Sequence, residues 1–129
     1  MRVLLSLGSN SDGERATGMA RAYLNRLLTA TRHSELLETE PIGMDSVPFT
    51  NSFTVGDTDL DLASLTSALK RIESLCGNSR RLRKAGIVKM DIDILLYGDT
   101  RHHEADWSRP YIRDNVESFL TEKNDDTHL

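Results

Sequence analysis

With one cysteine in 129 residues, the chain cannot form an internal disulfide. Cys76 falls on the apolar stripe of a predicted helix, where a buried free thiol is the common case, so no redox role is expected. Long hydrophobic runs are also missing. The apolar start MRVLLSLGSN is broken by Ser6 and followed by Gly8, Asn10 and Asp12, which fits neither a signal peptide nor a membrane span. A cytoplasmic address and no membrane partner are the expectation. There is no basic excess: a formal net charge of −4 at pH 7 argues against a general nucleic-acid binder. No repeat and no linker is present. An apolar share of 38% with 28% charged residues is ordinary for a globular protein and argues against overall disorder. The length suits one domain over residues 1–129 with a modest core.

What stands out is MDIDILLYG, residues 90–98. Read as an extended segment, it puts Met90, Ile92, Ile94 and Leu96 on one side and Asp91, Asp93 and Leu95 on the other. Aspartate is depleted in strands, and two like charges about 7 Å apart on a half-buried face repel unless something positive sits beside them. Hard oxygen donors at this spacing suit Mg²⁺. A bare D-x-D is also compatible with a solvated strand face. The basic cluster Arg80, Arg81, Arg83 and Lys84 just upstream gives the pair its meaning, as a local positive patch on an acidic chain.

The rest of the chain supplies a frame for that strand. Residues 2–7 alternate and are apolar on nearly both faces, so they predict a central strand ending at Gly8-Ser9-Asn10. Ser11-x-x-Glu14 reads as a capping box opening a helix to about residue 30, with Ala16, Met19, Ala20, Tyr23, Leu24, Leu27 and Leu28 as its buried stripe. Residues 33–38 predict a second strand, 39–48 a loop broken by proline and glycine, and 49–56 a third strand. In that third strand Phe49, Asn51, Phe53 and Val55 share a face. Asp61 caps a second helix with the stripe Leu62, Leu65, Leu69, Ile72 and Cys76, which Gly77 ends. A basic loop over 78–88 leads into the aspartate strand. Residues from 115 onward predict a short helix and a disordered end. The order β-α-β-β-α-β is the split pattern of a ferredoxin-like α+β sandwich, an antiparallel sheet with helices packed on one face. Its crossovers set the first and last strands side by side, bringing Gly8-Ser9-Asn10 into one sheet with Asp91 and Asp93.

LGSN after the first strand, the loop TEPIG followed by P-F-x-N, RIESLCG at the end of the second helix, the basic loop and DIDILLYG occur here in that order. Together, over residues 1–111, they resemble the 6-hydroxymethyl-7,8-dihydropterin pyrophosphokinases of folate biosynthesis. The resemblance implies transfer of pyrophosphate from ATP to the hydroxymethyl group of a reduced pterin, giving AMP. It implies two Mg²⁺ held by Asp91 and Asp93, with Arg80 joining them as a catalytic group. Arg80, Arg81 and Lys84 match basic positions that close over the ATP phosphates, and Ile94 and Tyr111 match positions near the nucleotide. Substrate contacts implied for the pterin are Asn10, Thr39, Pro41, Ile42, Gly43, Phe49 and Asn51, with Asn51 reading the ring edge and Phe49 stacking on it. Without the resemblance, Phe49 reads as core, Asn51 as a strand-edge polar residue and Asn10 as a turn residue.

Two departures from the family pattern bear on activity. Where the family carries an aromatic-Gly-Pro-Arg run before the first metal aspartate, this chain has Ala85-Gly86-Ile87-Val88; losing an arginine that acts on a phosphoryl transition state is worth ~10³ in rate in well-studied systems. Arg109-Pro110-Tyr111 stands where the family has Pro-His-Tyr. The family's downstream arginine and second pterin aromatic align near Val116 and Ser118, with Phe119 one place away. Arg83, Lys89, Arg109 and Arg113 are the candidates to restore the missing charge. The alternatives to the kinase reading are a non-catalytic pterin or nucleotide binder on the same fold, and a nucleotidyl- or glycosyltransferase suggested by Gly8-Ser9 with D-x-D.

Overall fold

The computed structural model describes residues 1–39 and 48–122. Strand β1 (Arg2–Ser9) is buried along nearly its whole length and lies at the centre of the sheet. It pairs antiparallel with β4 (Phe49–Asp57) on one side and with β5 (Asp91–Tyr97) on the other. The strands β2 (Thr29–His33) and β3 (Leu37–Thr39) pair with successive parts of β4, and β6 (Thr100–Arg101) forms a short hairpin with β5. The order β2-β4-β1-β5 is that of the expected ferredoxin-like sandwich, with the first and last long strands adjacent.

Helices α1 (Gly13–Leu27) and α2 (Leu62–Leu75) cover one face. Ala16, Ala20 and Leu24 from α1 and Leu65, Leu69 and Ile72 from α2 meet Val3, Leu5, Leu7, Met90, Ile92 and Ile94 from the sheet in one apolar cluster. Asp61 caps α2 as expected, accepting the Ser64 N–H at 2.7 Å, and Gly77 follows the helix at φ 101°, a left-handed value that favours glycine. Cys76 is buried beside it, as predicted.

Several local expectations are corrected. The capping box does not form: α1 starts at Gly13 behind a left-handed Asp12 with no side-chain cap. The Ser11 hydroxyl instead accepts from Lys89 Nζ at 2.9 Å. A glycine is required at 13, because a Cβ there would sit 2.3 Å from Thr50 Oγ1. The helix stops at Leu27, and the strand expected over 33–38 is two short strands on either side of residues 34–36. Part of the basic loop winds into α3 (Arg80–Lys84), capped by the Ser79 hydroxyl.

Leu96 does not share a face with Met90, Ile92 and Ile94. The register between β1 and β5 shifts at Leu4/Leu5, so Leu5 faces Ile94 while Leu4 faces Leu96. This bulge turns both Leu95 and Leu96 to the second face and sends Tyr97 back to the helices.

That second face is partly covered. After a 3₁₀ turn (Glu104–Ser108), α4 (Pro110–Arg113) and α5 (Val116–Thr121) lay Ile112, Val116 and Phe119 over Leu4, Phe53, Val55 and Leu95. Phe53 packs between Tyr111 (centroids 6.2 Å apart) and Phe119 (6.0 Å). The short helix expected near the end is thus α5, while residues 123–129 lie outside those described.

Candidate active site

Toward one end of the three central strands the second face loses its aliphatic side chains. Val55 and Phe53 give way to Asn51 and Phe49 on β4, Leu4 to Ser6 and Gly8 on β1, and Leu95 to Asp93 and Asp91 on β5. Register aligns these residues in rows: Phe53, Ser6 and Asp93 in one, Asn51, Gly8 and Asp91 in the next. A cleft of about 730 Å³ opens over the uncovered end, lined also by Asn10, Thr39, Gly86, Val88, Arg109, Pro110 and Tyr111.

A second cleft, of about 850 Å³, lies on the α2 side of β5, lined among others by Lys70, Glu73, Asn78, Arg80, Arg83, Ile94 and His103. Among their described lining residues the two clefts share only Asp91 and Asp93. The carboxylates therefore form the ridge between a largely apolar cleft and one lined by charged groups of both signs.

Both aspartates are about two-fifths exposed, and each meets a positive or ionisable group of the chain itself. Arg83 forms an ion pair with Asp91 and lies 3.9 Å from Glu73. His103 Nε2 is 3.8 Å from Asp93, and its Nδ1 is 3.9 Å from Asp106. Burial raises the Asp93 carboxyl above the usual carboxylate range, against the pull of His103, with Asp91 and Asp106 raising it further and Arg109 holding it back. Asp93, His103 and Asp106 bring one ligand atom each within 4.8 Å of one another.

Glu73, on the last turn of α2, has a structural part. The outer edge of β5 is paired to β6 only at Leu96 and Tyr97, and Glu73 Oε2 accepts the Ile92 N–H at 2.7 Å. This satisfies a strand-edge donor and fixes the backbone between the aspartates. Burial raises the Glu73 carboxyl, with the Ile92 N–H acting against it.

Of the expected pterin contacts, Thr39, Phe49 and Asn51 line the first cleft. Asn51 is buried and donates its Nδ2–H to Thr39 Oγ1. Asn10 also lines this cleft, but its amide is engaged elsewhere. Its Nδ2 donates to Gly86 O at 2.8 Å and its Oδ1 accepts the Val88 N–H at 2.7 Å, while its backbone N–H reaches Val88 O at 3.0 Å. Asn10 pins the segment 86–88 to the end of β1. Pro41, Ile42 and Gly43 lie outside the described residues.

Of the expected nucleotide contacts, Arg80 and Ile94 line the second cleft, whereas exposed Arg81 and Lys84 on α3 line neither. Tyr111 lines the first cleft, stacked on Phe53. Phe119 is buried in the core with Arg32 over its ring at 4.3 Å. The second aromatic of the first cleft is thus Tyr111. Glu73, His103 and Asp106 are site residues that no motif in the sequence marks as such. Glu73 stood inside RIESLCG, but nothing in the spacing places residues 103 and 106 beside Asp93.

The fold and site define a ferredoxin-like α+β protein with an acidic pair set between two clefts. The chain belongs to the 7,8-dihydro-6-hydroxymethylpterin-pyrophosphokinase family, whose model matches residues 4–120. It is 35% identical over 124 residues to the folate synthesis bifunctional protein of Arabidopsis thaliana, covering 85% of this chain and 25% of the relative. It is 38% identical over 122 residues to the mitochondrial folate synthesis bifunctional protein of Pisum sativum, covering 85% and 23%. The Chlamydia caviae protein of the same name is 34% identical over 127 residues, covering 92% and 28%. The chain spans about a quarter of the length of these relatives.

Proposed function

We propose that this chain, acting as one domain, transfers pyrophosphate from ATP to 6-hydroxymethyl-7,8-dihydropterin. The observation that carries the reading is the pair of clefts whose described lining residues share only Asp91 and Asp93. A two-substrate transfer needs its reacting groups to meet at one place, and charge on phosphate must be neutralised there. The first cleft suits a flat polar ring: Asn51 and Thr39 supply hydrogen-bonding groups, and Phe49 and Tyr111 supply aromatic surface. The second cleft, which presents Lys70, Arg80 and Arg83, suits the nucleotide, with Arg80 at the phosphates and Ile94 beside the base or ribose.

Two half-exposed carboxylates on one strand face form a donor set that fits Mg²⁺, so Asp91 and Asp93 would hold it. When bound, the metal supplies neutralisation of phosphate charge. The pterin hydroxyl oxygen bonds to the β-phosphorus as the bond from that phosphorus to the α–β bridging oxygen breaks. AMP leaves with the electron pair, and the hydroxyl proton passes to solvent. Asn51 holds the ring so that the hydroxymethyl arm lies toward Asp91, and Arg80 holds the polyphosphate.

The test is incubation with ATP, Mg²⁺ and the reduced hydroxymethylpterin, with AMP and pterin pyrophosphate separated by chromatography. Both products in equal amounts support the reading. Ligand binding without AMP would favour a non-catalytic binder, the reading to which apolar Val88 in the first cleft points. Release of inorganic pyrophosphate instead of AMP would indicate nucleotidyl transfer. No described helix is long and apolar enough to cross a membrane. The cytoplasmic address and the absence of nucleic-acid and membrane partners remain part of this proposal, and cell fractionation tests the address.

A further inference from the structure

The first cleft has two carboxylates in its wall and, among its described lining residues, a single cation, Arg109. Val88 lines the same cleft without charge. Three other cations near the site in sequence are placed differently. Lys89 Nζ donates to the Ser11 hydroxyl at 2.9 Å, Arg113 Nε donates to Asp114 at 3.1 Å, and Arg83 pairs with Asp91 from the second cleft.

Arg109 follows the 3₁₀ turn and directly precedes α4, and its Nε lies 3.3 Å from Asp106 Oδ1. A guanidinium held at Nε keeps its two Nη groups as a planar fork, the geometry that suits phosphate oxygens. Its charge also acts on Asp93 from this side of the ridge.

Resting on the activity proposed above, we infer that Arg109 is a catalytic residue for pyrophosphoryl transfer, donating through Nη to the transferring phosphates from the pterin side, with Asp106 as its positioning residue. Charge builds on those oxygens in the transition state at the junction of the clefts. A permanent cation already oriented there lowers the barrier without tightening the ground state.

Steady-state kinetics of Arg109→Ala, Arg109→Lys, Asp106→Asn and the Asp106→Asn/Arg109→Ala double variant test this, with circular dichroism melts as the folding check. Arg109 is exposed, so its variants are expected to fold. Arg109→Ala should lower kcat about 100-fold while leaving KM for ATP and pterin within about threefold. The lysine variant should recover part of the loss, as a point charge without the fork. Asp106→Asn should lower kcat about 10-fold, and the double variant should be no slower than Arg109→Ala alone, because Asp106 acts through Arg109. A kcat for Arg109→Ala within about threefold of wild type, or a loss confined to KM, overturns the inference. Multiplicative losses in the double variant overturn the role of Asp106. A wild-type protein that makes no AMP overturns the activity reading, and this inference with it.

Discussion

Asn51 and Asp91 occupy the same row of the sheet, both paired with Gly8 from opposite sides of β1. Two antiparallel pairings put their Cα atoms about 10 Å apart on one face. In the proposed function, a ring held at Asn51 would extend its substituent over Gly8 toward the carboxylates. A Cβ at position 8 would lie 3.0 Å from Asn51 Oδ1, so Gly8 leaves the asparagine amide its place. Gly8→Ala and Asn51→Ala should each weaken binding of the reduced hydroxymethylpterin about 10-fold or more. Affinity for Mg²⁺-ATP should stay unchanged, as calorimetry with each ligand separately would show; equal loss for both ligands would contradict the division of the clefts.

Asp93→Ala should abolish Mg²⁺-dependent binding of ATP. Because the fold holds the Asp93 carboxyl above the usual carboxylate range, the charged side chain at pH 7 is disfavoured in the native state, by burial first and by Asp91 and Asp106 in addition. Removing it should leave the melting temperature at pH 7 equal to or above that of wild type. Unchanged Mg²⁺-ATP affinity by calorimetry would contradict the metal assignment.

Val88 lines the first cleft on a segment that Asn10 pins in place. Val88→Arg should raise kcat about 10-fold by adding a second cation beside the transferring phosphates. Asn10→Ala should lower kcat and also remove the gain from Val88→Arg, since the segment loses both side-chain bonds. Turnover of the two single variants and the double checks this, and a full gain in the Asn10→Ala background would show that the anchor is unnecessary.

His33 gives a pH signature away from the site. Its Nδ1 meets Thr54 Oγ1 at 2.7 Å and its Nε2 meets Asn25 Oδ1 at 2.8 Å. A neutral ring serves both partners, accepting from the threonine hydroxyl and donating to the asparagine. Burial, with nearby Arg21 adding to it, depresses the His33 pKa from 6.5 to about 4. The unfolded chain thus binds a proton that the folded chain refuses between these values. Stability from this group is complete above pH 6.5 and is lost as pH falls toward 4. Melting temperatures from pH 7 to 4 should decline less steeply for His33→Gln than for wild type.

Much of the frame could be read from the chain because it depends on local periodicity. Strict alternation in β1, β4 and the first part of β5 fixed which residues share a face, and the Asp61 cap and Gly77 fixed the ends of α2. The errors fall where a local pattern competes with tertiary contacts. Ser11-x-x-Glu14 has the letters of a capping box, yet Lys89 holds the Ser11 hydroxyl and the helix starts at Gly13, where only a hydrogen fits against Thr50. Alternation also failed at Leu96, since a bulge adds one residue and inverts everything after it.

By itself the sequence determined the α+β order, the central place of β1 and the shared face of Asp91 and Asp93, because strand and helix periods are properties of neighbouring residues. Only the tertiary structure decided which groups meet those aspartates. Arg83 reaches Asp91 and His103 reaches Asp93 from separate segments, Arg109 lines the cleft beside them, and their positions depend on how α3, the 3₁₀ turn and α4 pack. Burial and field strength arise from that packing, so no spacing along the chain encodes them.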